Sequence, residues 1–136
     1  MKNYLIIVFI FLAHSLSAYD LYDFEDTYDS LAQRLTKASG AERVHILHHM
    51  VTLLAPWEPE QCRPMAEEAM ALSLELNDPE CLGLANQALG DIEFYSDNYI
   101  KALDHFYNAV DILEETMLYK ELGRCYEKIG TIFLNT

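Results

Sequence analysis

The chain reads as all-α: antiparallel helical hairpins stacked side by side, about two and a half of them behind one extra helix. Three observations predict this. Strand signals are nearly absent, with no sustained apolar–polar alternation and no Asn-Gly or Asp-Gly hairpin turn. Helix start and stop residues recur instead at short intervals. The sequence also matches itself at a shift of 40: Leu82-Gly83, Leu89-Gly90 and Ile92 align with Leu122-Gly123, Ile129-Gly130 and Ile132, while Cys62, Ala66, Ala69 and Leu72 align with Ala102, Phe106, Ala109 and Ile112. A fixed period of that length is the mark of a repeat array in which each unit buries its apolar face against its neighbours.

The elements follow in chain order. Lys2 precedes the apolar run 4–13, His14 interrupts it, and Ser15-Leu16-Ser17-Ala18 is a small-residue exit. The run is about half of the ~20 residues a bilayer span needs and fits a cleavable export signal. Residues 1–18 are therefore read as a signal peptide and the mature protein as exported, periplasmic or secreted, with no membrane insertion after cleavage. An uncleaved anchor or a buried first helix is the alternative. Residues 19–40 are a lead-in and the first helix, expected at 25–38. The aromatic and acidic stretch from Tyr19 to Asp26 is read as a mobile approach to that helix, with docking on a basic partner as the alternative.

The repeat domain occupies 41–136. Ser39-Gly40-Ala41-Glu42 reads as a capping box opening a helix at 41–55. Pro56-Trp57-Glu58-Pro59 is a turn whose last residue suits the first position of a helix at 60–76. Pro64 falls inside that helix, which must start late or kink. Asn77-Asp78-Pro79-Glu80 ends it and caps the next, at 80–95. Ser96-Asp97-Asn98 separates this from helices at 98–115 and 118–135. Small residues recur at one register, and a mid-helix Gly costs about 1 kcal/mol relative to Ala. Gly90, Gly130, Ala102 and Ala109 are accordingly expected where helix backbones approach closely.

Composition narrows the partner. The 136 residues carry 22 Asp and Glu against nine Lys and Arg, a formal charge of −13, and loss of the segment bearing Lys2 makes the remainder more acidic still. Nucleic acid and anionic lipid both require a basic face, so neither is expected as partner. Cys62, Cys81 and Cys125 are odd in number and lack a CxxC spacing; they are read as small buried thiols, with one disulfide as the alternative. No nucleophile elbow, phosphate-cradling Gly loop or metal-ligand motif is found. The expectation is a non-enzyme with no cofactor and no metal.

On the helix at 41–55, Val44, Ile46, Leu47, Met50, Val51, Leu53 and Leu54 share one half of the helical wheel, and His45, His48, His49 and Thr52 fill the other. His45 and His49 stand one turn apart, a spacing that can chelate zinc. No further ligand lies nearby in sequence, so a solvated face comes first, protein contact second and metal third. His105, with Lys101 and Asn108, is expected at the surface.

Leu89-Gly90, followed by Tyr99-Ile100-Lys101-Ala102-Leu103, Phe106 and Ala109-Val110, resembles the tetratricopeptide repeat. The match is good over 84–112, looser over 44–76, and resumes at 122–134. Glu93 departs from it, standing where the family often has an aromatic residue. The period of 40 exceeds the family's usual 34, which implies longer helices or turns. The resemblance implies a short right-handed solenoid with a concave groove lined by the first helix of each unit. Onto that groove it maps His45, His48, His49 and Thr52, then Leu84, Gln87, Ala88 and Asp91, then Arg124, Glu127, Lys128 and Thr131.

The binding residues expected from this mapping are His45, His48, His49, Thr52, Gln87, Asp91, Arg124 and Glu127, in a groove of mixed charge that holds a peptide or protein segment. A carboxylate clamp is not expected, for want of clustered Lys and Arg. The longer repeat also resembles the exported N-terminal arrays of bacterial signalling proteins that continue into a histidine kinase or diguanylate cyclase. A sensory ectodomain fragment is therefore the alternative function. The third unit has only its first helix, ending in Ile132-Phe133-Leu134-Asn135-Thr136. It is read as the mark of a truncated or split piece of a longer protein, or else as one extra helix closing the second hairpin, and its apolar side as able to self-associate.

Overall fold

The computed structural model describes residues 18–136, with side chains from Thr27 onward. The expected signal peptide falls outside the described residues apart from Ala18. Six helices follow one another: α1 (Ala18–Leu35), α2 (Gly40–Leu54), α3 (Pro59–Leu76), α4 (Pro79–Tyr95), α5 (Tyr99–Leu113) and α6 (Tyr119–Asn135). No strand is present among the described residues. The last five helices lie within two residues of their expected bounds. The first does not: α1 begins at Ala18, so the stretch read as a lead-in is helical. Nothing from Tyr19 to Leu35 is Gly or Pro, and without a breaker the helix continues to its N-terminus.

The turns show how the sequence sets these bounds. Asn77 takes the left-handed conformation (φ 49°) at the end of α3, and Asp78 caps α4 by accepting from the backbone N–H of Glu80 at 2.9 Å and of Cys81 at 3.3 Å. Pro59 and Pro79 open α3 and α4, where a missing N–H costs nothing. α3 continues through Pro64. The capping box at Ser39 is not formed: Ser39 sits at the N-cap but its side chain bonds nothing there. Glu42 reaches instead toward Arg34, 3.7 Å away, and Gly40 supplies the positive φ (57°) that turns the chain into α2.

Each helix packs on its neighbours in sequence, α2 also packs on α4, and α4 touches α6. The core is correspondingly a series of apolar clusters. Leu31, Ile46 and Met50 join α1 to α2. Val44, Leu47, Ala69, Cys81 and Ala85 join α2, α3 and α4, as do Val51, Cys62, Ala66, Ala88 and Ile92 one turn or more further along. Phe106, Leu113, Cys125, Ile129 and Ile132 join α5 to α6. This packing is compatible with stacked hairpins.

The small residues do the expected work in one hairpin only. A Cβ on Gly90 would stand 2.6 Å from the Phe106 ring, and one on Gly83 would stand 2.5 Å from Leu113, so α5 lies against α4 because both positions lack a side chain. Gly123 and Gly130, their equivalents in α6, meet nothing within 4 Å. The close approach expected at Gly130 is absent, because no described helix lies on that side of α6.

Polar anchors tie the ends. Arg43 pairs with Glu68 and donates to the Leu35 carbonyl at 2.7 Å, joining α1, α2 and α3. Glu93, standing where an aromatic residue was expected, is buried and satisfied by Arg63 at 2.8 Å and Asn98 at 2.9 Å. Burial raises its pKa, but these two donors outweigh burial and leave it lowered. Lys128 donates to the Tyr95 hydroxyl at 2.7 Å and lies 4.6 Å from the centroids of Phe94 and Tyr95, holding α6 to the end of α4.

Candidate functional site

A concavity of about 470 Å³ opens between α1, α2 and α6. From α2 it is lined by His45, His48, His49 and Thr52, all four expected on this face, together with Glu42, Ile46 and Leu53. α6 contributes Arg124, as expected, with Lys120 and Glu121, and α1 contributes Leu31 and Arg34.

The eight expected residues divide into three groups. His45, His48, His49, Thr52 and Arg124 line the concavity, His48 at only 6% exposure. Gln87 and Asp91 belong to the wall behind it and are 1% and 2% exposed. Glu127 is exposed on α6 and does not line the concavity. His48 was expected on a solvated face; it is buried because α4 packs over that side of α2. His105, expected at the surface, is half-buried with Nδ1 3.4 Å from Asn86 Oδ1.

The buried group forms a ladder. His48 Nε2 lies 2.6 Å from Gln87 Oε1, and Gln87 Nε2 donates to the Glu121 carbonyl at 3.0 Å. Since the Gln87 oxygen can only accept, His48 must carry its proton on Nε2. One side chain from α2 and one from α4 thereby link three helices behind the groove. Removing either would strand a buried polar partner, at about 1–3 kcal/mol. Burial, more than the neighbouring cations, holds His48 down to a pKa of about 4, so it is neutral near pH 7.

One turn further along the same helices, Thr52 Oγ1 and Asp91 Oδ2 are buried without a hydrogen-bond partner. Arg124 approaches Asp91 to 3.8 Å, too far for a hydrogen bond. Burial raises Asp91 to about 6, and the nearby Arg124 and Lys128 only partly offset it. Arg124 thus stands between Asp91 in the wall and the concavity that it lines.

The concavity gathers charge of both signs. Arg34, Lys120 and Arg124 converge on the concavity, three of only nine Lys and Arg in the chain. His49 registers this: burial lowers its pKa first, then Lys120, Arg124 and Arg34 lower it further. Against these stand two lining acids, Glu42 and Glu121. In a chain where acids outnumber bases by 22 to nine, this surface has the reverse balance. Arg34 lies 3.7 Å from Glu42 and Arg124 3.8 Å from Asp91, so two of the three cations face an acid and the charge of the groove is mixed. Register matching within the repeat could not find Arg34, which lies on a helix outside the repeat, nor Lys120, which precedes the matched segment.

The histidines do not gather as metal ligands would. His45 Nε2 turns to Glu80 Oε1 at 3.0 Å while His48 turns inward to Gln87. Among the described residues no group of three or more His, Cys, Asp or Glu could hold a metal ion. Cys62, Cys81 and Cys125 are free and buried, and their thiols are pushed up, mainly by burial, to about 12, 11 and 12. They stay protonated near pH 7 and are poor nucleophiles. No described helix is long and apolar enough to cross a membrane. No protein-family model, curated protein or solved structure matches the chain.

Proposed function

We propose that this protein is a non-catalytic interaction module: an exported, tetratricopeptide-like right-handed solenoid whose concave face holds an acidic segment of another protein. One observation carries the reading. A chain of net charge −13 concentrates Arg34, Lys120 and Arg124 around His49 in a concavity of about 470 Å³. Local potential decides which ligand enters, and a recess whose three cations outnumber its two lining acids, on an otherwise anionic surface, favours carboxylates while the rest of the molecule repels them. Leu31, Ile46 and Leu53 give the same recess apolar patches for a side chain between acids. The solenoid reading is supported by the repeat shift, by consecutive helices packing in pairs and by Gly83 and Gly90 beneath Leu113 and Phe106. The ladder behind the groove supports a pre-formed site, which limits the ordering entropy lost on binding.

A peptide array of acidic, neutral and basic segments tests it, probed with the wild type and with an Arg34→Ala/Lys120→Ala/Arg124→Ala variant. All three side chains are partly or fully exposed, so the variant keeps the core. Retention of acidic segments by the wild type and their loss in the variant is the expected result. Equal retention of all classes, or no change in the variant, would refute the reading. A His48→Ala substitution is unsuitable here, since it breaks the buried ladder as well.

A further inference from the structure

Two cations of the concavity face an acid, and the two acids differ in burial. Glu42, 3.7 Å from Arg34, has a side chain 63% exposed, so water and salt screen that pair. Asp91, 3.8 Å from Arg124, has a side chain only 3% exposed, and its low-dielectric surroundings strengthen its pull on the guanidinium. Arg124 keeps 28% of its side chain exposed and lines the concavity. The same guanidinium therefore has a buried acid on one side and the binding surface on the other.

Asp91 is poorly held in its ionised form. Its Oδ2 is buried without a hydrogen-bond partner, and Thr52 Oγ1, buried on the α2 side of the groove, has none either. The charges that act on Asp91 come from α6: Arg124 first, then Lys128, favour the ionised form, and Glu127 opposes it. Lys128 is occupied by the Tyr95 hydroxyl and the Phe94 ring. The Cys62 thiol on α3 and the Cys125 thiol on α6 also sense Asp91, but both stay protonated near pH 7. His48, one turn away on α2, is neutral there. Arg124 is thus the main support of the charge on Asp91. A ligand that draws Arg124 away leaves a buried carboxylate, which answers by taking up a proton.

We infer, on the reading that the concavity holds an acidic segment, that Asp91 is a proton-operated restraint on it. Ionised, Asp91 competes with the segment for Arg124; protonated, it yields Arg124 to the segment. Asp91 is a positioning residue that acts through Arg124. When a carboxylate of the segment engages Arg124, one proton passes from solvent to Asp91. By reciprocity, protonation of Asp91 tightens the segment's hold. Burial raises the acid of the free protein to about 6, so affinity climbs as pH falls toward that value and levels off below it.

Calorimetric titration of an Asp- and Glu-rich peptide into the wild type and Asp91→Asn, between about pH 8 and about pH 5.5, tests this. Asn keeps the shape of Asp and carries no charge at any pH; circular dichroism checks the fold. Near pH 8 the variant should bind at least about threefold tighter than the wild type, since each unit by which binding raises Asp91 is a factor of ten. Near pH 5.5 the two should converge. The groove histidines are present in both proteins, so their protonation cancels in the comparison. Near pH 7, titrations in buffers of different ionisation enthalpy should show more proton uptake by the wild type. In an Arg124→Ala background the effect of Asp91→Asn should shrink. Binding with matching pH profiles and equal proton uptake would overturn the restraint and leave the acidic-segment reading standing. No binding of the peptide by either protein at any pH would overturn both.

Discussion

His48 and Asp91 show how two buried groups can conceal each other's pH dependence. A His held at about 4 rejects the proton that the unfolded chain accepts near 6.5, so its contribution to stability is lost as pH falls between those values. An Asp raised to about 6 does the opposite: the folded form keeps a proton the unfolded chain has released, and stability is lost as pH rises from about 4 to about 6. Each shift corresponds to roughly 3 kcal/mol at full effect, with opposite sign in nearly the same window. The prediction concerns differences from wild type. Asp91→Asn should be more stable than wild type at pH 7, by up to about 3 kcal/mol, and that advantage should vanish by pH 4. His48→Gln should show the reverse, gaining on wild type only as the pH drops. Urea unfolding at a series of pH values measures both, and parallel profiles for all three proteins would contradict the assignment.

At the scale of the helix, identical residues at repeat-equivalent positions should respond with opposite sign. Gly90→Ala drives a Cβ into the Phe106 ring and should cost about 1–3 kcal/mol through overpacking. Gly130→Ala meets nothing and should stabilise by about 0.5–1 kcal/mol, the usual gain of Ala over Gly within a helix. Thermal unfolding of the two variants decides it, and a common sign would mean that α5 is not seated on Gly90 as described. The same pair marks how much the sequence disclosed. Helix bounds were legible wherever Pro, Asn or Asp fixes the backbone, as at Asn77-Asp78-Pro79. They were not legible at Tyr19–Asp26, where nothing marks a start. The Ser39 capping box did not form, and Glu42 lies toward Arg34 instead, an arrangement that depends on how α1 meets α2. Gly90 and Gly130 are alike in sequence, and only the packing shows that one is filled and the other open.

For the molecule as a whole, the site was half legible. The repeat register found His45, His48, His49, Thr52 and Arg124, and it found Gln87 as a member of the wall behind them. It could not tell that Gln87 and Asp91 face inward, since burial depends on how closely α2 and α4 approach. Nor could it supply Arg34 and Lys120, which reach the concavity from α1 and α6. Those two residues tip the lining to three cations against two acids, and the choice of partner rests on that balance. The most direct measurement is a calorimetric titration of an Asp- and Glu-rich peptide into the wild type and the Arg34→Ala/Lys120→Ala/Arg124→Ala variant at low and high salt. Binding by the wild type that weakens as salt is raised, and its loss in the variant, is the predicted result. Binding that ignores both salt and the three substitutions, or a stronger response to a Lys-rich peptide, would contradict it.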